Sequence, residues 1–339
     1  TLRIHMGAEP GTLNPITATD SYAHAINLKI YETLVDRDYD TLEVKPMLAE
    51  RWEISPDRLK FRFYLKKGIV WSDGAEFTAD DVVYSYDRIM DPKVSSAQLK
   101  VYYIDIKSCK KIDRYTVEFT YSRPYYLALI FCGGMTIIPK HIFNNGTDFN
   151  THKNNRFPIG TGPYRFERWD TGKNIILVRN ERYRGAKPEI RRVVYKIISE
   201  GSVALQMLKK GEIDLMGVRD IEWVRQTNSK KFTDNFYKLK YFLPSFSYVG
   251  WNSRRPFFRD RRVRLAMTHL INRKEILDKL LFGLGEIVTG PFYIFGEAND
   301  SSIKPWPYDP ERARQLLKEA GWIDRDGDGI LDRDGKKFS

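Results

Sequence analysis

The chain has 339 residues, 42% hydrophobic and 14% aromatic, with 56 lysines and arginines against 44 acidic residues, a formal net charge of +12. That length exceeds a single ordinary core and implies two or three domains, while no apolar run approaches the roughly 18 residues of a membrane-crossing helix. The first residues, Thr1-Leu2-Arg3-Ile4-His5, lack the basic and apolar stretches of an export signal, so any such signal is expected to have been removed.

The first strand is expected at Leu2–Met6. Period-two alternation at Leu59–Leu65 and Tyr115–Tyr121 marks two half-buried antiparallel strands. Between them, Thr78-Ala79-Asp80-Asp81 opens a helix carrying Val82, Tyr86 and Ile89, because the threonine hydroxyl accepts from otherwise unpartnered first-turn amides. Further strands are expected at Ile175–Val178, Arg192–Ile198, Ile213–Met216 and Phe246–Trp251. A helix from Ser202 turns Leu205 and Leu208 inward and stops at Gly211, which tolerates the left-handed conformation. Asp260 caps a helix bearing Val263, Met267, Leu270 and Ile271, and Asn272 restarts another through Leu280 to Gly283. Asp309-Pro310 begins the last helix, with Ala313, Leu316, Leu317 and Ala320 before Gly321. Strands and helices interleaved at irregular intervals describe a mixed α/β chain without repeats.

Charge is uneven. Residues 219–264 hold twelve lysines and arginines against Asp220, Glu222, Asp234 and Asp260. A basic excess of this kind coats a solvated face, meets nucleic acid or meets an anionic membrane surface; no nucleic-acid motif accompanies it, and a solvated face is the expectation. Cys109 and Cys132 form one bridge in an oxidising compartment or stay buried as free thiols, and their spacing fits both.

The residue sets of catalysis are missing. The five histidines, His5, His24, His141, His152 and His269, are scattered, and there is no His-Glu-x-x-His, Cys-x-x-Cys or Gly-x-Ser-x-Gly. Gly160-Thr161-Gly162-Pro163 lacks the Gly-Lys-Ser/Thr of a phosphate loop, and Pro163 removes an amide where phosphate would need one. The expectation is a non-enzyme without a cofactor. One acidic run, Asp324, Asp326, Asp328, Gly329, Ile330 and Asp332, follows the opening of a calcium loop, with oxygen ligands at alternate positions and glycine at the turn. Gly335 stands where the closing bidentate glutamate belongs. A solvated acidic turn and a weak calcium site through Asp324, Asp326, Asp328 and Asp332 both remain open.

Several segments, in order, resemble the family-5 solute-binding proteins, the receptors for dipeptides, oligopeptides, nickel and cello-oligosaccharides. Glu9-Pro10-Gly11-Thr12-Leu13-Asn14-Pro15 resembles the family's opening signature, followed by an expected helix over Ile30–Leu34 and by Pro46-Met47-Leu48-Ala49-Glu50-Arg51-Trp52. The most specific stretch is Gly68-Ile69-Val70-Trp71-Ser72-Asp73-Gly74-Ala75-Glu76-Phe77-Thr78-Ala79-Asp80-Asp81-Val82. The order continues through Ile138-Pro139-Lys140-His141, Gly160-Thr161-Gly162-Pro163-Tyr164 and Arg179-Asn180-Glu181-Arg182-Tyr183. Lys210-Gly211-Glu212-Ile213-Asp214, Asp260-Arg261-Arg262-Val263-Arg264 and Glu319-Ala320-Gly321-Trp322 complete it. Thr33, where the family often has glycine, and Arg261, in a slot usually small or apolar, depart from the pattern.

The resemblance implies an α/β fold of the periplasmic-binding-protein type II kind: two lobes that close on a ligand, an extra inserted domain, and an incomplete second lobe. Residues 1–43 and 160–249 would build the first lobe, 44–159 the inserted domain and 250–339 the start of the second. It implies an extracytoplasmic receptor, periplasmic or lipid-anchored on the outer face of the cytoplasmic membrane, which delivers a peptide to an ABC permease. Oligosaccharide or metal chelate is the alternative cargo, and nucleic-acid binding the alternative of another class. The residues that hold peptide termini in the family are expected past Ser339. Those expected on the ligand wall here are Glu9, Gly11, Gly134, Met135, Gly217 and Val218, with Tyr248, Gly250 and Asn252 on a crossing strand. A carboxylate accepts from an ammonium group, glycines permit close approach and a ring offers a face. A second lobe ending at Ser339 is expected to expose Val263, Met267 and Leu270 with Leu316 and Leu317, and so to self-associate.

Overall fold

The sheets follow from alternating strands whose apolar faces need covering. A computed structural model describes every residue except 39, 40, 42, 244, 297 and 339. It divides into two units, Thr1–Gly217 and Val218–Ser339.

Within Thr1–Gly217, one four-stranded sheet runs in the order Leu2–Met6, Arg192–Ile197, Asn174–Arg179, Tyr164–Asp170. Its first pair is parallel and the others antiparallel. Ile175, Ile176, Leu177, Val193 and Tyr195 are buried. The second sheet, Ala49–Ile54, Lys60–Leu65, Thr116–Tyr121, Ile106–Asp113, is wholly antiparallel. Here the alternation read from the sequence is realised: Phe61, Phe63 and Leu65 point into the core with Val117, Phe119 and Tyr121. Phe63 and Phe119 meet edge to face at 5.9 Å, a geometry favoured by the ring quadrupole. Helix Ala79–Met90 covers this sheet, Tyr86 donating to the Ile106 carbonyl at 2.9 Å.

The cap of that helix explains the most specific stretch of the sequence. The Thr78 hydroxyl accepts from Asp80 N, while Asp81 Oδ2 accepts from Thr78 N at 2.9 Å, a reciprocal capping arrangement. The other Asp81 oxygen accepts from Lys140 N at 2.9 Å, tying the Ile138–His141 motif to the same point.

Three expectations are corrected. The helix expected over Ile30–Leu34 is instead Ser21–Ile30, and Tyr31 already lies in extended backbone at φ −107°. It stops there because the Ile30 carbonyl is taken by Gly162 N at 2.8 Å. A Cβ on Gly160 would sit 1.9 Å from that oxygen, so the Gly-Thr-Gly-Pro segment serves close backbone approach. Ile213–Met216 forms only an isolated bridge, Leu215 to Ile4. Phe246–Trp251 is not a strand: no backbone hydrogen bond is made from Tyr237 to Trp251 among the described residues, and without a neighbouring ladder, extended propensity yields no sheet.

Within Val218–Ser339, helices Arg261–His269 and Pro310–Glu319 pack on each other. Asp260 and Asp309 cap them as expected, accepting from Arg262 N and Arg312 N. The stripes expected to be exposed are mostly buried: Val263, Leu316 and Leu317 share a core with Ala266, Ala313 and Trp322, and Met267, Phe257 and Phe338 pack against it. Leu270 alone of those five residues is exposed, at 41%. The two amphipathic faces cover one another, which the separate reading of each helix did not anticipate. Cys109 and Cys132 are free and buried. Burial pushes both thiols up, which suppresses the nucleophilic thiolate.

Candidate functional site

The first unit holds a pocket of about 200 Å³, built from the opening loop upward. Asn14, fully buried, donates through Nδ2 to Asn155 Oδ1 at 2.9 Å and accepts from Ile16 N at 2.9 Å. Leu13 N reaches the Asn155 carbonyl at 2.7 Å. So fixed, the loop delivers Asp20 as the cap of helix Ser21–Ile30, where its carboxylate accepts from Ala23 N at 2.7 Å and Gly11 N at 3.4 Å. His24, Asn27 and Leu28 then fall three and four residues apart, on one helix face, and line the pocket with Tyr31, which follows the helix end. Across from them stand Leu99, Tyr103, Gly134 and Thr136. His24 and Leu28 are exposed, whereas Asn27 and Tyr31 are buried. The Asn27 Oδ1 and the Tyr31 hydroxyl have no hydrogen-bond partner among the described residues, and burial pushes the Tyr31 phenol well above its ordinary range. Tyr31 is therefore a neutral wall.

The second unit holds a larger pocket, about 580 Å³. Phe246, Tyr248 and Trp251 line it with Phe292 and Tyr293, and Arg273 and Glu286 are its charged residues. Apolar lining with a few polar groups is the usual composition of a small-molecule site.

The residues expected on the ligand wall have different local surroundings. Gly134 lines the first pocket and Tyr248 the second. Met135 is fully buried in the core. Glu9 is engaged by its own fold: its carboxylate accepts from Trp169 Nε1 at 2.5 Å and Gly172 N at 3.2 Å. Gly11, Gly217 and Gly250 are exposed backbone, and Val218, half-buried, opens the second unit. Tyr248, Gly250 and Asn252 do not lie on a strand; Asn252 shapes a turn, its Oδ1 accepting from Arg254 N at 3.0 Å. The sequence expectations did not include His24, Asn27, Leu28 and Tyr31; the helical spacing of the first three, opposite buried Ala23, Ile26 and Ile30, was the available signal.

In the acidic loop, Asp324, Asp326 and Asp328 bring carboxylate oxygens within 4.8 Å of one another. Asp324 accepts from Gly327 N and Gly329 N at 2.8 and 2.9 Å. Lys337 Nζ lies 3.2 Å from Asp326 and contacts Asp328. Lys337 holds the Asp328 carboxyl below its usual range. Asp332, expected as a fourth ligand, lies outside this cluster because Arg325 takes its carboxylate, through backbone N at 2.9 Å and Nη1 at 2.6 Å.

Residues 43–339 match the family described as bacterial extracellular solute-binding proteins, family 5 Middle. The chain belongs to that family. Among its family-5 relatives, the oligopeptide-binding protein AppA of Bacillus subtilis is 33% identical over 98% of this chain and 61% of its own length. The dipeptide-binding protein of Escherichia coli is 31% identical over 92% of this chain and 62% of its own. The fold agrees. NikZ from Campylobacter jejuni, solved in complex with Ni(L-His), superimposes with a TM-score of 0.85 at 30% identity, covering 99% of this chain and 66% of that one. Bacillus subtilis AppA, solved in complex with a nonapeptide, gives 0.80 at 31%, covering 99% and 67%. The chain thus spans a little over three-fifths of the curated relatives it matches.

Proposed function

We propose that this family-5 protein is an extracytoplasmic receptor that captures oligopeptides or dipeptides and hands them to an ABC permease on the outer side of the cytoplasmic membrane, where a lipid anchor would retain it. The observation that carries the reading is the match of 99% of the chain to a receptor solved with a nonapeptide. Gly134 and Tyr248, each in a pocket wall, are the ligand-contacting residues of this proposal; the wall of His24, Asn27 and Leu28 selects what enters the first pocket. The protein acts by binding, without turnover or a cofactor, and its proposed domains are the segments 1–43 with 160–249, 44–159 and 250–339, of which 218–249 falls in the compact unit Val218–Ser339. Thermal-shift titration with a defined peptide library tests it: stabilisation by peptides supports the proposal, and a shift with oligosaccharide alone overturns it.

A second reading, a metal-chelate receptor, is favoured by the likeness to NikZ with Ni(L-His) and by exposed His24 in the first pocket. Nickel with free histidine, added to the same assay, decides between them. For the acidic loop we propose a structural turn closed by Lys337, with calcium as a competitor for the same carboxylates.

A further inference from the structure

We propose that the exposed arginine cluster Arg254, Arg255, Arg259 and Arg261 is a docking surface for a membrane of anionic phospholipid.

Between residues 235 and 274 the chain carries ten lysines and arginines and a single carboxylate, Asp260. That carboxylate is already consumed. It caps helix Arg261–His269 through Arg262 N at 2.8 Å and takes the Arg262 guanidinium, whose Nη2 lies 2.7 Å from Oδ2. Arg264 is turned onto the Phe258 and Arg259 carbonyls at 2.6 and 2.9 Å, and Arg273 donates to those of Thr268 and Trp306. Lys238 donates to the Trp223 carbonyl and Asn228 Oδ1, Lys274 donates to Asp278 at 2.6 Å, and Lys240 lies over the Phe242 ring. Arg254, Arg255, Arg259 and Arg261 remain, all exposed and none in an ion pair among the described residues.

Their base is rigid. The turn of helix Pro256–Arg259 sets Phe257 against Trp322 at 5.5 Å and Phe338 at 5.4 Å, while Phe258 meets Trp251 at 5.4 Å. Four guanidinium groups are thus presented within eight residues by an anchored turn. Guanidinium forks pair with phosphate oxygens bidentately and desolvate more easily than ammonium. Thirteen residues before Arg254 in the sequence, Tyr241 is 75% exposed. An exposed aromatic ring on the same segment as clustered cations suits the headgroup zone of a bilayer, which accepts both, whereas duplex DNA would need the cations alone. This surface does not depend on the identity of the transported ligand.

The experiment is co-sedimentation of the protein with vesicles of phosphatidylcholine, alone or mixed equally with phosphatidylglycerol. The protein should pellet with the mixed vesicles and stay in solution with the neutral ones. Combined Arg254→Gln, Arg255→Gln, Arg259→Gln and Arg261→Gln should weaken partitioning roughly a thousandfold, and the first two alone roughly thirtyfold. A control removing equal charge from the first unit, Lys107→Gln, Lys110→Gln, Lys173→Gln and Lys209→Gln, should bind almost as the parent does. The peptide-induced thermal shift of the fourfold arginine variant should match the parent's, showing that it is folded and that docking is separate from capture. Equal binding to both vesicle types, an equal loss in the lysine control, or tighter retention on duplex DNA than on mixed vesicles at the same ionic strength would each overturn the proposal.

Discussion

Arg184 Nη1 donates to both carboxylate oxygens of Glu32, at 2.9 and 2.8 Å, while its Nη2 reaches the Met47 carbonyl at 2.8 Å. The Glu32 side chain is only 2% exposed and that of Arg184 25%. Burial raises the Glu32 carboxyl above its ordinary range, and Arg184 opposes that rise. A group whose folded value lies above its unfolded one stabilises most below the unfolded value, and that contribution is lost as pH rises through the folded value. Arg184→Met therefore leaves an uncompensated buried carboxylate at pH 8, at a cost of about 3–5 kcal/mol. Lowering the pH to 5 moves Glu32 toward its protonated form and so reduces that cost. Urea midpoints of parent and variant at the two pH values check this; an equal loss at both would mean that Glu32 does not carry the effect.

Gly160→Ala should destabilise by about 3 kcal/mol or more, since an added Cβ meets the Ile30 carbonyl oxygen, which is backbone and has no room to yield. Gly172→Ala is the contrast. Its φ is +69° with nothing near the added carbon, so only left-handed strain, about 1 kcal/mol, applies. Urea denaturation of the two variants separates close approach from backbone strain, and equal losses would contradict the assignment.

Ala18 lines the first pocket and is only half-buried. Ala18→Phe should fill the cavity and weaken peptide binding roughly tenfold, equivalent to about 1.4 kcal/mol, with the melting temperature of the ligand-free protein unchanged. Calorimetric titration with a peptide that stabilises the parent provides the measurement. Unaltered affinity would remove this pocket from the ligand path.

Local signals in the sequence translated directly into structure. Thr78 with Asp81, Asp260, and Asp309 with Pro310 mark helix starts within a few residues, because a cap is satisfied by its own first turn. The alternation through Phe61 and Phe63 likewise needs only one buried face. What was illegible depended on partners distant in sequence. Glu9 reads as a free carboxylate until Trp169 approaches it from 160 positions away. Phe246–Trp251 has strand propensity, yet pairing is a property of two segments and not of one. The pocket face of His24, Asn27 and Leu28 was legible by spacing, but the helix end that delimits it is set by Gly160 and Gly162 against Ile30.

The acidic loop yields the last prediction. Its three clustered carboxylates repel one another, and Lys337 offsets them by bridging Asp326 and Asp328 while two glycine amides occupy Asp324. Calcium must displace that ammonium, and Gly335 offers no closing carboxylate. The parent protein should therefore show no calcium binding below about 1 mM, the weak end of the range for such loops. Lys337→Gln frees Asp326 and Asp328, and binding should emerge near 0.1–1 mM, with an upward shift in melting temperature by mass action. Peptide affinity should be the same with and without calcium in both proteins, because an ion that binds ligand-free and ligand-bound forms equally moves no equilibrium between them. Calorimetric titration of calcium, then of peptide in its presence, tests each step. Micromolar binding by the parent would show that Lys337 does not close the loop, and a calcium-dependent peptide affinity would show that the loop lies on the ligand path.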